Sequence, residues 1–449
     1  MQLHPEHRWK VKQSLFLDLG LCSLMIKSGI AMSDFKVLII GGGNCGLAIA
    51  TGLEQAGIKY TIFERESRYD FYNRPRDWGM LLHWGQEYLM KLLPDHLVTH
   101  LKEVRCDPRL NDHDASLKGV PFVDAFTGDV IAEIPMQGVN RVSRMKLRRF
   151  LTEGQNLNIE FGKTISHLSV CPQGNVTAKF RDGTSESGDL VVGCDGSHSI
   201  VREFLVGAEA AKLQPVDLTM INFPLGGYTV DEAHLLQTLH PIFKIAAHPE
   251  RPGNAILAAL DIADPEDATS WKFQNYIGWW GPPYAKDLQD MKTRVKYYKS
   301  FISSFCEPFR TAGLKLGEED TIPVYPGQQW APNMPWDNRG GRVTLAGDAA
   351  HSMVPQRGQG LNNAMQDAAH LVDAIKSVQI TQQHTLKDAI DAYENEMKPR
   401  GSREVHLSLE QARQASNSKA IKESLIFKIG WKPVKVPNHE KQTDTAACN

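Results

Sequence analysis

The stretch Gly41-Gly42-Gly43-Asn44-Cys45-Gly46 restricts this chain more than any other. It follows an apolar, strand-like run, Lys36 to Ile40 (KVLII). A helical pattern comes next, with Leu47, Ala50, Leu53 and Ala56 apolar, and it stops at Gly57, a natural helix C-terminus. A second strand, Tyr60 to Phe63, runs into Glu64, roughly 20 residues past the turn. Strand, glycine turn, helix, strand and acid in this register specify a β–α–β unit for a dinucleotide. Gly41 permits the tight turn, Gly43 lets backbone approach a pyrophosphate, and Gly46 lets the helix pack on the strand. The helix N-terminus offers free N–H groups and a positive dipole end to phosphates. Glu64 is placed to accept hydrogen bonds from a ribose diol. Cys45 reads as a small packing residue rather than a redox thiol.

A second glycine turn lies far downstream. Gly341 to Ala346 (GRVTLA) reads as a short strand running into Gly347-Asp348. HSMVPQRGQG follows, then a helix from about Leu361 whose residues Ala364, Met365, Ala368, Leu371, Val372 and Ile375 keep one face apolar. Asp348 at a strand end can bind a hydroxyl-rich chain, and Gly358 and Gly360 allow close backbone approach at the helix start. That helix end can stabilise negative charge on a ring system. A plain strand–loop–helix connection with a capping Asp is the competing account. Between the two turns, DLVVGCDGSHSIVREFL supplies a strand (Asp189 to Gly193), a turn at Asp195-Gly196, and a helix capped by Ser197 or Ser199.

Other classes are disfavoured. The 50 basic and 52 acidic residues leave a formal charge of −2, so no basic excess points to nucleic acid. The seven cysteines are scattered without a CxxC pair, which argues against a metal cluster or a disulfide framework and for a reducing compartment. Ser14 to Met32 is apolar but carries Asp18 and Lys27, and its clean stretches are too short to span a bilayer. It reads as an extension ahead of a fold that starts near Met32, with a poor signal peptide ending at Ala31 as the alternative. A cytoplasmic location is expected.

Taken together, G-x-G-x-x-G, then D-G, then G-D, in this order, resemble the class A, single-component flavoprotein monooxygenases, the aromatic hydroxylases and flavin epoxidases. The resemblance runs from about Ser33 to Gly401. NRPRDWGMLLHWG (Asn73 to Gly85) and YENEMKPRG (Tyr393 to Gly401) look most like the branch found in fungal specialised metabolism. The resemblance implies an α/β fold with a Rossmann-like FAD-binding domain of the glutathione-reductase and aromatic-hydroxylase type, carrying an inserted mixed β-sheet substrate domain. It implies that Gly41, Gly43 and Gly46 hold the AMP half of FAD, with Glu64 on the ribose. Asp348 would hold the ribityl–pyrophosphate region, and the backbone of Gly360 and Leu361 would face the flavin ring. Arg144 matches the first Arg of the family's R-x-x-L-R-x-x-L helix, which approaches FAD. Gly79 stands where the family places a backbone contact to FAD, and Asp195 is linked to both FAD and pyridine-nucleotide binding. The two glycine turns would thus grip opposite ends of one extended FAD.

The expected boundaries are an extension at 1–32, a first FAD-binding part at 33–205 with an embedded substrate-side segment about 106–140, a mainly substrate-binding part at 206–338, a second FAD-binding part at 339–401, and a C-terminal helix and tail at 402–449. Pocket candidates in the substrate part are Tyr228, His248, Trp279, Trp280 and Tyr284. No catalytic base stands out. No second G-x-G-x-x-G appears, so NAD(P)H is expected as a transient co-substrate. The resemblance implies that NAD(P)H and dioxygen are consumed to hydroxylate or epoxidise a small aromatic, polyketide, terpenoid or alkaloid intermediate. Two alternatives remain open: a flavoenzyme of the same fold that inserts no oxygen, and a non-catalytic escort protein.

Overall fold

The computed structural model describes residues 34–110, 117, 119–136, 140–171, 174–250, 253–281, 288, 290–415, 423–430 and 432. The expected extension at 1–32, the tail from 433 onward and the pocket candidate Tyr284 lie outside the described residues.

The chain opens with β1 (Lys36–Ile40), α1 (Asn44–Gln55) and β2 (Lys59–Glu64). It then leaves the first sheet through β3 (Gly79–Leu82), β4 (Gly119–Asp124), β5 (Val130–Pro135) and β6 (Asn140–Ser143). Helix α2 (Arg144–Phe150) leads back to β7 (Ile159–Phe161). A meander of β8 (Ile165–Val170), β9 (Val176–Phe180) and β10 (Ser185–Gly188) precedes β11 (Leu190–Gly193) and α3 (Ile200–Val206). The long central section holds β12 (Gln214–Leu225), β13 (Phe243–Ala247), β14 (Asn254–Asp261), β15 (Lys272–Trp280), α4 (Met291–Ile302) and β16 (Val324–Gln329). The chain returns with β17 (Val343–Leu345), α5 (Asp348–His351), α6 (Gly360–Gln379) and α7 (Leu386–Ala415), and the described part closes with α8 (Leu425–Ile429).

Strands β17-β11-β1-β2-β7 make a five-stranded parallel sheet. Its inner strands read as continuous apolar runs because both faces are covered, in part by α1 and in part by the β8–β10 meander, whose Phe180 ring centre lies 4.6 Å from that of Phe63. The second sheet, β16-β12-β15-β14-β13-β4-β5, has seven strands and is antiparallel except between β13 and β4. Strands β4 and β5 join it from the early part of the chain, within the segment expected near 106–140. The antiparallel ribbon β3–β6 lies between the two sheets in sequence. The boundary expected at 401/402 falls inside one unbroken helix, α7, which contains Pro399.

A buried ion cluster fixes the second turn. Both carboxylate oxygens of Asp367, on α6, are occupied: one takes the Gly347 N–H (2.8 Å) and His351 Nε2 (2.6 Å), the other Arg400 Nη2 (2.7 Å) from α7. Asp367 and His351 are fully buried. Burial alone would raise the Asp367 carboxyl, but the charges and hydrogen bonds of His351 and Arg400 hold it well below the usual range. Gly401 leaves room for the ring: a Cβ there would lie 2.9 Å from His351 Cδ2.

Replacing Asp367 by Asn should cost about 3–5 kcal/mol near neutral pH, since it strips a buried cation of its partner. A carboxyl held below its unfolded value of about 4 contributes stability that is present above that value and fades as pH falls through the folded one. Urea unfolding of both proteins against pH should therefore show the gap narrowing in acid. A gap that is constant with pH would mean shape, not charge, is what Asp367 supplies.

Candidate active site

One cavity of about 620 Å³ runs between the glycine turns and the seven-stranded sheet. Six of the ten residues expected from the sequence line it: Gly43, Gly79, Arg144, Asp348, Gly360 and Leu361. The other four lie behind the wall and shape it. Gly41 has φ +111°, and a Cβ on it would lie 2.3 Å from the Cys194 carbonyl oxygen. A Cβ on Gly46 would lie 2.1 Å from the Gly41 oxygen. Both positions exclude a side chain for steric reasons internal to the protein. Gly43 differs: a Cβ there would meet no protein atom within 4 Å, so the space it would fill is cavity.

Glu64 is buried at the end of β2. Its two oxygens accept the Gly42 N–H and the Glu66 N–H, each at 2.8 Å. The sequence suggested a carboxylate reserved for a ligand; the structure shows that it also clamps the first turn. Asp195 likewise serves the protein. It accepts from Ser199 Oγ and from the N–H groups of Ile200 (2.7 Å) and Val201 (3.2 Å) at the start of α3. Ser199, not Ser197, caps that helix, taking the Arg202 N–H. The Arg202 guanidinium then reaches the Ala349 carbonyl (3.0 Å), tying the middle motif to the second turn.

Asp348 contrasts with these. Its side chain opens onto the cavity, and no donor among the described residues reaches its carboxylate. It is solvent-accessible through that cavity, but the protein crowded round it raises its pKa by desolvation, with His351, Arg144 and Arg202 pulling the other way. The first turn of α6 faces it: a Cβ on Gly360 would be 4.0 Å from Asp348 Oδ1. Asn44 Oδ1, at the start of α1, is also buried without a partner. Arg144 packs its guanidinium over Trp78, 4.8 Å from the ring centre, and among the described residues no carboxylate lies within ion-pair distance. Burial and the neighbouring Arg148 lower its pKa to about 10. Arg148, the second Arg of that helix, is spent internally on Glu66 (2.8 Å) and the Phe71 carbonyl.

An acceptor for hydroxyls, a bare guanidinium, an orphan amide oxygen and side-chain-free backbone thus converge on one elongated space. A dinucleotide with a polyol linker fits these groups.

The family described as FAD binding domain matches residues 34–223 and 329–408. The chain is 32% identical to the FAD-dependent monooxygenase phnB of Penicillium herquei, over 92% of this chain and 98% of that protein. It is also 32% identical to the FAD-dependent monooxygenase cctM of Talaromyces islandicus, over 88% and 97%. The chain belongs to the FAD-dependent monooxygenases. Its fold is that of Klebsiella pneumoniae HpxO, solved with FAD and uric acid, with TM-score 0.68 and 20% identity over 89% of this chain and 94% of that one. FAD is accordingly the cofactor, and the branch expected from the sequence is the one to which these fungal relatives belong.

The other half of this monooxygenase's cavity was not legible in the sequence. Its wall is the inward face of the seven-stranded sheet, with Met220, Asn222, Ile245, Ile256, Gln274 and Tyr276, and Ile426 and Phe427 of α8 close it. The described candidates chosen from sequence lie elsewhere. Side chains alternate across a strand, so Gln274 and Tyr276 face the cavity while Trp279 joins the core behind the sheet. Tyr228 is in that same core and donates to the Ala312 carbonyl (2.9 Å). His248 is buried beside Phe305 beyond the end of β13. Trp280 packs at the sheet's end, 5.5 Å from the Arg413 guanidinium. Among the described lining residues Asp348 is the sole acid, and none is histidine. No described helix is long and apolar enough to cross a membrane.

Asp348→Ala separates a ligand contact from a structural one. A carboxyl with a pKa raised by burial destabilises the fold as pH rises through its unfolded value, so apo protein at neutral pH should melt no lower, or higher, without it. FAD affinity should fall roughly ten- to a hundred-fold, the effect of losing one charged hydrogen bond. Thermal melts of apo protein and fluorescence titration with FAD measure the two. A lower apo Tm with unchanged affinity would assign Asp348 to the scaffold.

Proposed function

We propose that this FAD-dependent monooxygenase consumes NAD(P)H and dioxygen to hydroxylate or epoxidise a small, mostly apolar organic intermediate of a specialised-metabolite pathway. The observation that carries the reading is one continuous cavity with unpaired polar groups suited to FAD at one end and the apolar-and-amide face of the second sheet at the other. In this reading the turn at Gly41, Gly43 and Gly46 takes the AMP half, with the free lone pairs of Glu64 on the ribose. Asp348 accepts from the ribityl hydroxyls, and Arg144 and the backbone at Gly79 flank the cofactor. The N–H groups at Gly360 and Leu361 face the ring, and Asp195 holds the α3 turn against it. Bound there, FAD supplies the redox chemistry, taking electrons from NAD(P)H and activating dioxygen.

The protein's own work is positional. Ile245, Ile256, Met220 and the α8 residues Ile426 and Phe427 exclude water from the substrate half. Tyr276 receives a hydrogen bond from Gln356 (3.0 Å), which joins the sheet to the loop at the cofactor end. A substrate lying on the sheet is thereby held at a fixed distance from Gly360.

A screen of candidate metabolites for substrate-dependent NAD(P)H oxidation identifies the substrate. With it, heavy-isotope dioxygen should place one labelled atom in the product and labelled water none. NAD(P)H consumption without substrate should be slower and yield hydrogen peroxide. A product that gains no oxygen would replace this reading with a dehydrogenase or reductase of the same fold.

A further inference from the structure

We propose that Arg141 recognises an ionised hydroxyl of the substrate, a phenolate or enolate oxygen, at the junction between the two halves of the cavity. The inference rests on the reading above that the sheet side of the cavity holds substrate.

Arg141, on β6, is 5% exposed and lines the cavity. Its Nε donates to the Ala259 carbonyl (2.9 Å) and its Nη2 to Gln274 Oε1. Gln274 is itself fixed, for Oε1 also accepts the Gly79 N–H (2.7 Å) and Nε2 donates to Asn222 Oδ1 (2.8 Å). The guanidinium stacks 5.3 Å from the Phe243 ring centre. Every acceptor it uses is neutral. Among the described residues no carboxylate lies within 4 Å of it, and the adjacent Cys106 is a neutral thiol whose pKa burial pushes up to about 12. Asp77 is the acid whose field it feels, but the Asp77 oxygens accept from Trp78 N, Ser143 Oγ and Met145 N. The nearby cation on the same wall is Arg144, and the titratable lining groups on the sheet are Tyr276 and Tyr325.

A buried charge without a counter-charge is costly. Burial duly lowers the Arg141 pKa, though a guanidinium stays protonated. The chain also gives up a side chain for it: a Cβ on Gly79 would lie 2.3 Å from Arg141 Nη2. The family resemblance marks Gly79 for FAD contact; the structure adds that Arg141 fills the space where its side chain would be. Three cations, Arg76, Arg141 and Arg144, line the cavity against the one acid, Asp348. Arg144 is assigned to the cofactor, and Arg76 stands at an exposed position over Tyr325. Arg141 is the cation left for substrate. With Nε and Nη2 spent on neutral acceptors, it suits one oxygen rather than the two of a carboxylate. Among the described lining residues on the sheet side there is no carboxylate or histidine to act as base, so the ionised hydroxyl is favoured by the fixed positive charge, and its proton leaves to solvent on binding. An ionised oxygen makes a ring or alkene a better nucleophile for oxygen transfer.

The test uses FAD-loaded protein and 4-nitro-1-naphthol, a two-ring phenol whose neutral and ionised forms absorb differently. Bound probe should ionise about one pKa unit or more below free probe, a tenfold preference for the anion. Its O-methyl ether and 1-naphthoate should each bind about tenfold more weakly. Arg141→Gln should abolish the shift, and Arg141→Lys should keep part of it, with the FAD-to-protein ratio and Tm recorded for each. Should Arg141→Gln fail to fold, the wild-type shift and its partial retention in Arg141→Lys decide. An unshifted or unbound probe, a shift surviving in Arg141→Gln, or naphthoate binding more tightly than the phenol overturns the proposal. Wild-type protein that takes up no FAD would instead overturn the functional reading itself.

Discussion

The carboxylate of Asp367 is the point on which the cofactor end of the cavity depends. It joins the Gly347 N–H, His351 and Arg400, and so ties the end of β17 to α5, α6 and α7. Arg400 also holds Asn363 Oδ1 (2.8 Å) and Glu396 (2.8 Å), which locks α7 along α6. Gly347 has φ +63°, a conformation that needs a backbone without a side chain and a fixed neighbour on each side. The orientation of Asp348 toward Gly360 follows from these bonds. Such a network holds best where its members are satisfied: the carboxylate oxygens and the guanidinium are, while the buried His351 Nδ1 has no partner among the described residues.

Asp367 and Asp348 show how one residue type is put to two uses by its surroundings. The first has His351 on one oxygen and the Arg400 guanidinium on the other, and its carboxyl is held low; the second meets no donor among the described residues and its carboxyl is held high. A protein optimised for stability alone would not leave Asp348 without a donor, Asn44 Oδ1 without a partner and Arg141 without a counter-charge among the described residues. These three line one cavity, while Glu64, Asp195 and the Arg148 Nη1 nearby are used in holding the turns and helices around it. Rigid surroundings and an open interior are the preorganisation that binding and orientation require.

The cofactor half was largely legible in the sequence because its signals are local. Strand, glycine turn and helix sit within a few residues of one another at both turns, and steric demands at Gly41 and Gly46 are met by chain neighbours or by the adjacent strand. The substrate half was not legible because its cavity face depends on which parity of each strand turns inward. Trp279 and Tyr276 are equally aromatic in the sequence, yet only Tyr276 reaches the cavity. The apolar run at Leu425–Ile429 carried no motif, and its role depends on packing against β5. Arg141, three residues ahead of Arg144, belongs to none of the motifs read from the sequence. Only pairing across β3–β6 and contact with β14 and β15 show that it is buried.

That same ribbon explains how the two halves act as one site. β3 carries Gly79, β6 carries Arg141 and then Ser143, and α2 begins at Arg144 directly after it. Gln274 on β15 takes hydrogen bonds from both strands of the ribbon, through Gly79 N and Arg141 Nη2. Asn362 on α6 takes the N–H groups of His83 (3.0 Å) and Gly85 (3.1 Å) just past β3 and donates to the Leu81 carbonyl (2.9 Å). The ribbon is therefore pinned to the substrate sheet at one end and to the cofactor helix at the other, in each case through a buried amide. Neither amide is charged, so the spacing between sheet and helix is set by directional hydrogen bonds whose strength does not change with pH. Two of the three guanidiniums that line the cavity, Arg141 and Arg144, ride on this same rigid piece. Their separation is fixed by the chain itself, and an anionic cofactor and an anionic substrate oxygen can be held in register without any moving part.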